Sequence, residues 1–97
     1  MHSLYTINFT NPSRKDLKKI DKSHQLFIKK SLVDFASNFN DEYEVALMKK
    51  GIIKKLKGQN EDIYRLKLRS YRVIYKVEND VLIILVLNIT TREGAYK

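Results

Sequence analysis

With 97 residues, 43% of them hydrophobic, and a single proline, the chain suffices for one domain with one core and is too short for two. It has no cysteine, which excludes disulfides and thiolate metal sites, and its longest apolar run, Val81 to Leu87, is far too short to cross a bilayer. A net charge of +8 points to an anionic partner (nucleic acid, an acidic protein or an anionic membrane), with a plain solubility device as the bland alternative.

The first ten residues lack a charged segment followed by an apolar run, so they do not read as a secretory signal, and a cytoplasmic protein is expected. Residues 3–10 alternate as a strand, with Tyr5, Ile7 and Phe9 toward the core and Leu4, Thr6 and Asn8 away from it. Asn11 is the expected N-cap of a short helix with Pro12 at its first position and Leu17 and Ile20 as apolar anchors. Asp21 or Ser23 then caps a longer helix, whose Ile28, Leu32, Phe35 and Phe39 form one stripe at helical spacing. Residues 41–50 read as a further helical turn or two, with acids leading, lysines trailing and Gly51 just past the end. A basic connector runs from Gly51 to Asp62. Three strands follow, roughly 63–69, 71–77 and 81–89, with Asn79-Asp80 as a hairpin turn signal. The order β-α-α-β-β-β predicts an α+β fold: a small antiparallel sheet of about four strands with the helices packed on one face, forming a single domain over residues 1–97.

The central hairpin carries the most information. Tyr64, Leu66 and Leu68 share one face of the first strand, and Arg65, Lys67 and Arg69 share the other. A two-residue turn at Arg69-Ser70 places Leu68 opposite Tyr71, Leu66 opposite Val73 and Lys67 opposite Arg72. Like charges directly across a sheet are about 5 Å apart and destabilise it unless an anion lies between them. Arg65, Lys67, Arg69, Arg72 and Lys76 converge with no acid nearby, which favours an anion site over a merely solvated face. Lys67 and Arg72 are both expected to point away from the core, so that truncating either leaves no cavity. Arg92 and Tyr96, just past the last strand, suit RNA: a guanidinium for phosphate and a phenol ring for stacking on a base.

The stretches "IKKLKG", "IYRLKLRSYRVIYKV", the apolar strand after them and the terminal "REGAY" together resemble the RelE/ParE superfamily of bacterial and archaeal toxins. The resemblance covers nearly the whole chain, and its "YRVIY" and terminal "R…Y" pieces are its most specific parts. RelE-type members cut messenger RNA in the ribosomal A site. ParE-type members share the fold, poison DNA gyrase and lack the nuclease residues. Both are neutralised by an antitoxin encoded alongside. Residue by residue, the resemblance carries the RelE-type cationic strand to Arg65 and Lys67, the "YR" arginine to Arg72, and the terminal pair to Arg92 and Tyr96. Two departures stand out: the "LRSYR" turn is shorter than usual, and a usual "GHR" reads "TTR" here. The missing histidine leaves no histidine acid or base at that point; His2 and His24 are distant in sequence and read as surface residues.

The resemblance implies a metal-independent endoribonuclease with no cofactor, and the residue types fit one. Such chemistry needs a base for the ribose 2′-OH, cations for the phosphorane and an acid for the leaving oxygen. The expected catalytic set is Lys67, Arg72, Arg92 and Tyr96. Lys67 serves as base, its ordinary pKa of about 10.4 lowered by surrounding cations. Arg65, Arg69, Lys76, Lys54, Lys55 and Lys57 are expected to bind phosphate. The expected partners are a cognate antitoxin, the ribosome and messenger RNA, with no membrane. The alternatives are a ParE-type toxin acting on gyrase and a plain RNA-binding domain.

Overall fold

The computed structural model describes residues 6–56, 62–78 and 83–91. Strand β1 (Thr6–Phe9) leads into helices α1 (Asn11–Lys18), α2 (Lys22–Asn38) and α3 (Asp41–Lys49). Strands β2 (Ile53–Lys55), β3 (Tyr64–Leu68), β4 (Tyr71–Glu78) and β5 (Ile83–Thr91) complete a five-stranded sheet ordered β1-β5-β4-β3-β2. The α+β class and the antiparallel β3–β4–β5 arrangement are as expected, and two features are added. Strand β1 joins the edge of β5 in parallel, Thr6 beside Ile83 and Phe9 beside Val86. No tight turn links these two strands, so nothing local fixes their relative direction. The connector also contains β2, which pairs Ile53 with Leu66 and Lys55 with Tyr64.

Helix ends follow local chemistry. The first cap lies one residue before the expected Asn11: the Thr10 hydroxyl accepts from the Ser13 amide (3.3 Å), and Ser13 Oγ donates back to the Thr10 carbonyl (2.9 Å). Asp21 sits at the N-cap of α2 without a side-chain cap bond. Asn40 caps α3 by accepting from the Tyr43 amide at 2.8 Å. That helix ends as a Schellman motif. Gly51, at φ 77°, donates to the Met48 carbonyl, and Ile52 donates to that of Leu47.

All four residues of the α2 stripe, Ile28, Leu32, Phe35 and Phe39, are buried, with Leu17 of α1 beside them. They pack on Ile53, Leu66, Val73, Tyr75 and Ile89, the inward row of the sheet. Each such side chain contributes about 1.5–3 kcal/mol by leaving water. Phe35 meets Phe39 and Tyr75 edge-on at 5.3 and 5.4 Å. Among the described residues the helices therefore cover one face of the sheet, and strand alternation sends Lys54, Arg65, Lys67, Arg72 and Lys76 to the other.

Beyond Val86, β5 has outrun β1, and its amides on that side have no strand to bond. Asp16 of α1 fills the gap: its Oδ2 accepts from the Ile89 amide at 2.9 Å. Opposite, β4 pairs with β5 through a bulge, Ile74 with Asn88 and Tyr75 with Val86, leaving Leu87 as the extra residue.

Candidate nucleic-acid interface

The β3–β4 register is the expected one: Leu68 faces Tyr71, Leu66 faces Val73, and Lys67 faces Arg72. The same face extends onto the strands on either side. Thr90 of β5 is the partner of Arg72, and Lys54 of β2 is the partner of Arg65. Lys54, Arg65, Lys67 and Arg72 thus form a cationic patch across three strands on the helix-free face. Lys67 and Lys54 are exposed and Arg65 is half-buried. Among the described residues, no carboxylate lies within ion-pair distance of Arg65, Lys67 or Arg72. Lys76 is half-buried on the same face of β4.

Arg72 corrects one expectation. It is not a solvent-pointing side chain but 7% exposed, and its Nη1 donates to the carbonyls of Arg69 (3.1 Å) and Tyr71 (3.0 Å). The cause is its place on an inner strand beside a tight turn, where the Arg69 and Tyr71 carbonyls lie within reach of the guanidinium. The group is therefore fixed, whereas Lys67 is free to move. Next to Arg72 in register, the Thr90 hydroxyl is buried without a hydrogen-bond partner.

Two expected phosphate ligands lie elsewhere. Lys55 follows Lys54 in a strand, so it points to the helix side. There its Nζ pairs with Asp62 at 3.1 Å, a bond that raises its pKa. The Arg69 guanidinium lies 3.9 Å from the centroid of the Phe27 ring on α2, because its backbone leaves the strand at the turn with φ 55°. Lys57, Arg92 and Tyr96 lie outside the described residues.

Sequence reading missed several contacts here. His24 is exposed as expected, yet its Nδ1 lies 2.9 Å from Tyr71 Oη, a hydrogen bond available in either imidazole tautomer. The partners are 47 positions apart, and no local pattern signals them. On the helix side, the buried Tyr75 donates its hydroxyl to Glu44 Oε2 at 3.0 Å and stacks on Tyr64 at 5.5 Å. Burial pushes the Tyr75 phenol far above its ordinary range. Burial also raises the Glu44 carboxyl, against the opposing effect of the Tyr75 hydrogen bond. This polar cluster lies across the sheet from the cationic patch. Among the described residues, no helix is long and apolar enough to cross a membrane.

Comparison with known proteins agrees with this plan. Residues 7–96 match the family profile of the ParE toxin of the type II toxin–antitoxin system, parDE. Over 45 residues the chain is 49% identical to a protein named toxin RelE1 of Methanocaldococcus jannaschii. That match spans 46% of this chain and 49% of the relative, so the chain spans about half the length of the curated relative it matches. The fold is similar to that of the archaeal RelE–RelB complex from Pyrococcus horikoshii OT3, with a TM-score of 0.66 and 23% identity over 92% of this chain and 96% of that one. The intact E. coli RelBE toxin–antitoxin complex has a TM-score of 0.64 and 26% identity over 90% and 95% of the two chains.

Proposed function

The chain belongs to the ParE toxin family of type II toxin–antitoxin systems, and from that premise we propose that it works as a RelE-like endoribonuclease, cutting messenger RNA in the ribosomal A site and restrained by a cognate antitoxin. One observation carries this reading: the four cations Lys54, Arg65, Lys67 and Arg72 gather on the open face of the sheet without a carboxylate partner among the described residues. Such a face costs stability through like-charge repulsion, and a phosphate would offset that cost.

The proposed step is an internal transesterification. Lys67, as the base, takes the proton from the ribose 2′-OH. The 2′ oxygen bonds to phosphorus, the bond from phosphorus to the 5′ oxygen breaks, and that oxygen takes up a proton. The product ends are a 2′,3′-cyclic phosphate and a 5′-hydroxyl. Arg72, already held by two carbonyls, is preorganised to stabilise the phosphorane, and Arg65 and Lys54 draw in the flanking phosphates. Arg92 and Tyr96 are assigned to the leaving oxygen and the neighbouring base. The route needs no metal, since arginines supply the charge. With weak acids and bases, the rate leans on positioning, which a ribosome could supply.

For the antitoxin, the exposed Leu26 (68%) and Val33 (58%) on α2 offer apolar surface beside Lys29 and Lys30, which suits an amphipathic acidic segment. A second reading keeps one observation of its own: the matching family profile is that of ParE. In it the toxin stalls DNA gyrase and the cations serve protein binding. Analysis of messenger fragments from a cell-free translation reaction separates the two. Cyclic-phosphate 3′ ends mapping to A-site codons support the nuclease; intact messenger with loss of gyrase supercoiling supports the second reading.

A further inference from the structure

The turn between β3 and β4 is under an unusual demand. Arg69 holds a left-handed backbone, φ 55°, that side-chain-bearing residues rarely adopt, so something outside the turn must hold it. Two contacts from α2 do so. The Phe27 ring lies under the Arg69 guanidinium at 3.9 Å. His24 Nδ1 meets Tyr71 Oη at 2.9 Å, the rings edge-on with centroids 5.8 Å apart. The contacts flank the turn on either side. The residues so pinned, Arg69 and Tyr71, are the two whose carbonyls receive Arg72 Nη1.

We propose that Phe27 and His24 are positioning residues: they fix the β3–β4 turn against α2, and through the Arg69 and Tyr71 carbonyls they fix the Arg72 guanidinium for a bound phosphate. The inference rests on the nuclease reading for its consequence and on the contacts alone for its mechanism. Helix α2 never touches the phosphate. It acts through the turn, and a change on the helix side of the sheet is felt on the RNA side. A freely rotating Arg72 still neutralises charge, so substrate capture persists. What is lost is the alignment of its donors with the phosphorane, where small misplacements are costly.

The test uses the whole chain and two readouts. Phe27→Leu combined with Tyr71→Phe removes both pins while keeping apolar bulk. Phe27→Trp keeps an aromatic face for Arg69 and serves as the conservative variant. Ser37→Ala, at an exposed position of α2 with no role in either proposed surface, is the control. In nitrogen-15 spectra, a guanidinium held by two carbonyls rotates slowly and gives separate Nη signals for Arg72. The double variant is expected to average those signals, with Phe27→Trp and Ser37→Ala resembling the parent. At saturating ribosome–messenger complex, the double variant should cut about ten- to a hundredfold more slowly, with its KM and melting temperature near those of the parent. Unchanged Arg72 signals in the double variant overturn the inference whatever the activity. Unchanged cleavage by the double variant, where Arg72→Ala fails to cut, overturns it too. If the parent cuts no messenger at all, the nuclease reading falls, and the Arg72 signals still decide whether α2 fixes the guanidinium.

Discussion

Lys67 and Arg72 stand directly across the β3–β4 hairpin from each other, but only Arg72 is buried and bonded, through Nη1, to the carbonyls of Arg69 and Tyr71. The two cations should therefore part company on stability while agreeing on activity. Lys67→Ala removes a repulsion and should leave the melting temperature unchanged or slightly higher. Arg72→Ala removes two charge-assisted hydrogen bonds and should cost about 1–3 kcal/mol. Both should abolish most cleavage. Leu66→Ala, with Leu66 2% exposed, is the structural control and should cost about 2–5 kcal/mol. Urea melts with cleavage assays on the same preparations check all three.

Neighbouring lysines offer a sharper test of which face meets RNA. Lys54 pairs with Arg65 on the cationic face, and Lys55 pairs with Tyr64 and Asp62 on the other. Lys54→Ala should weaken binding to a short single-stranded RNA and reduce the salt dependence of that binding by about one charge. Lys55→Ala should leave both unchanged. A binding titration at several salt concentrations, in which the two variants behave alike, would contradict this division.

Glu44 makes a prediction in pH. Its carboxyl is raised above 4.5 by burial, so the folded state holds the proton more tightly than the unfolded one. Its contribution is then most favourable below about 4.5, falls as pH rises through the raised folded value, and stays low at neutrality. Glu44→Gln mimics the neutral form and keeps an acceptor for Tyr75. The melting temperature of Glu44→Gln minus that of the parent should increase from pH 4.5 to pH 7. Tyr75 works in the alkaline range: its raised phenol keeps its proton while the unfolded chain ionises above its ordinary value of 10.0, so stability should fall with pH there. Thermal melts across both windows check the two signs.

Much of this geometry was legible because local pattern encodes burial. The 3.6-residue stripe of α2 and the alternation of β3 and β4 name Ile28, Leu32, Leu66 and Val73 as core, and a two-residue turn forces Lys67 opposite Arg72. What escaped depends on neighbours distant in sequence. Strand β1 has no turn to set its direction against β5. Three residues of β2 are too few for a pattern, so Lys54 and Lys55 could not be assigned to opposite faces. The Asp16 bond to the Ile89 amide spans 73 positions. Arg69 left the expected phosphate set because a ring on α2 offered its guanidinium a partner. Arg72 was expected in water because alternation tells which face a side chain takes, not whether nearby carbonyls draw it in.

The most direct test of the central claim is ribosome-dependent cleavage by the parent chain and by Lys67→Ala, with gyrase supercoiling followed in parallel. The account predicts that the parent cuts messenger at ribosome-bound codons, leaves supercoiling intact, and loses most cutting when Lys67 is truncated. Cutting by Lys67→Ala at the parent's rate, or intact messenger alongside stalled gyrase, would contradict it.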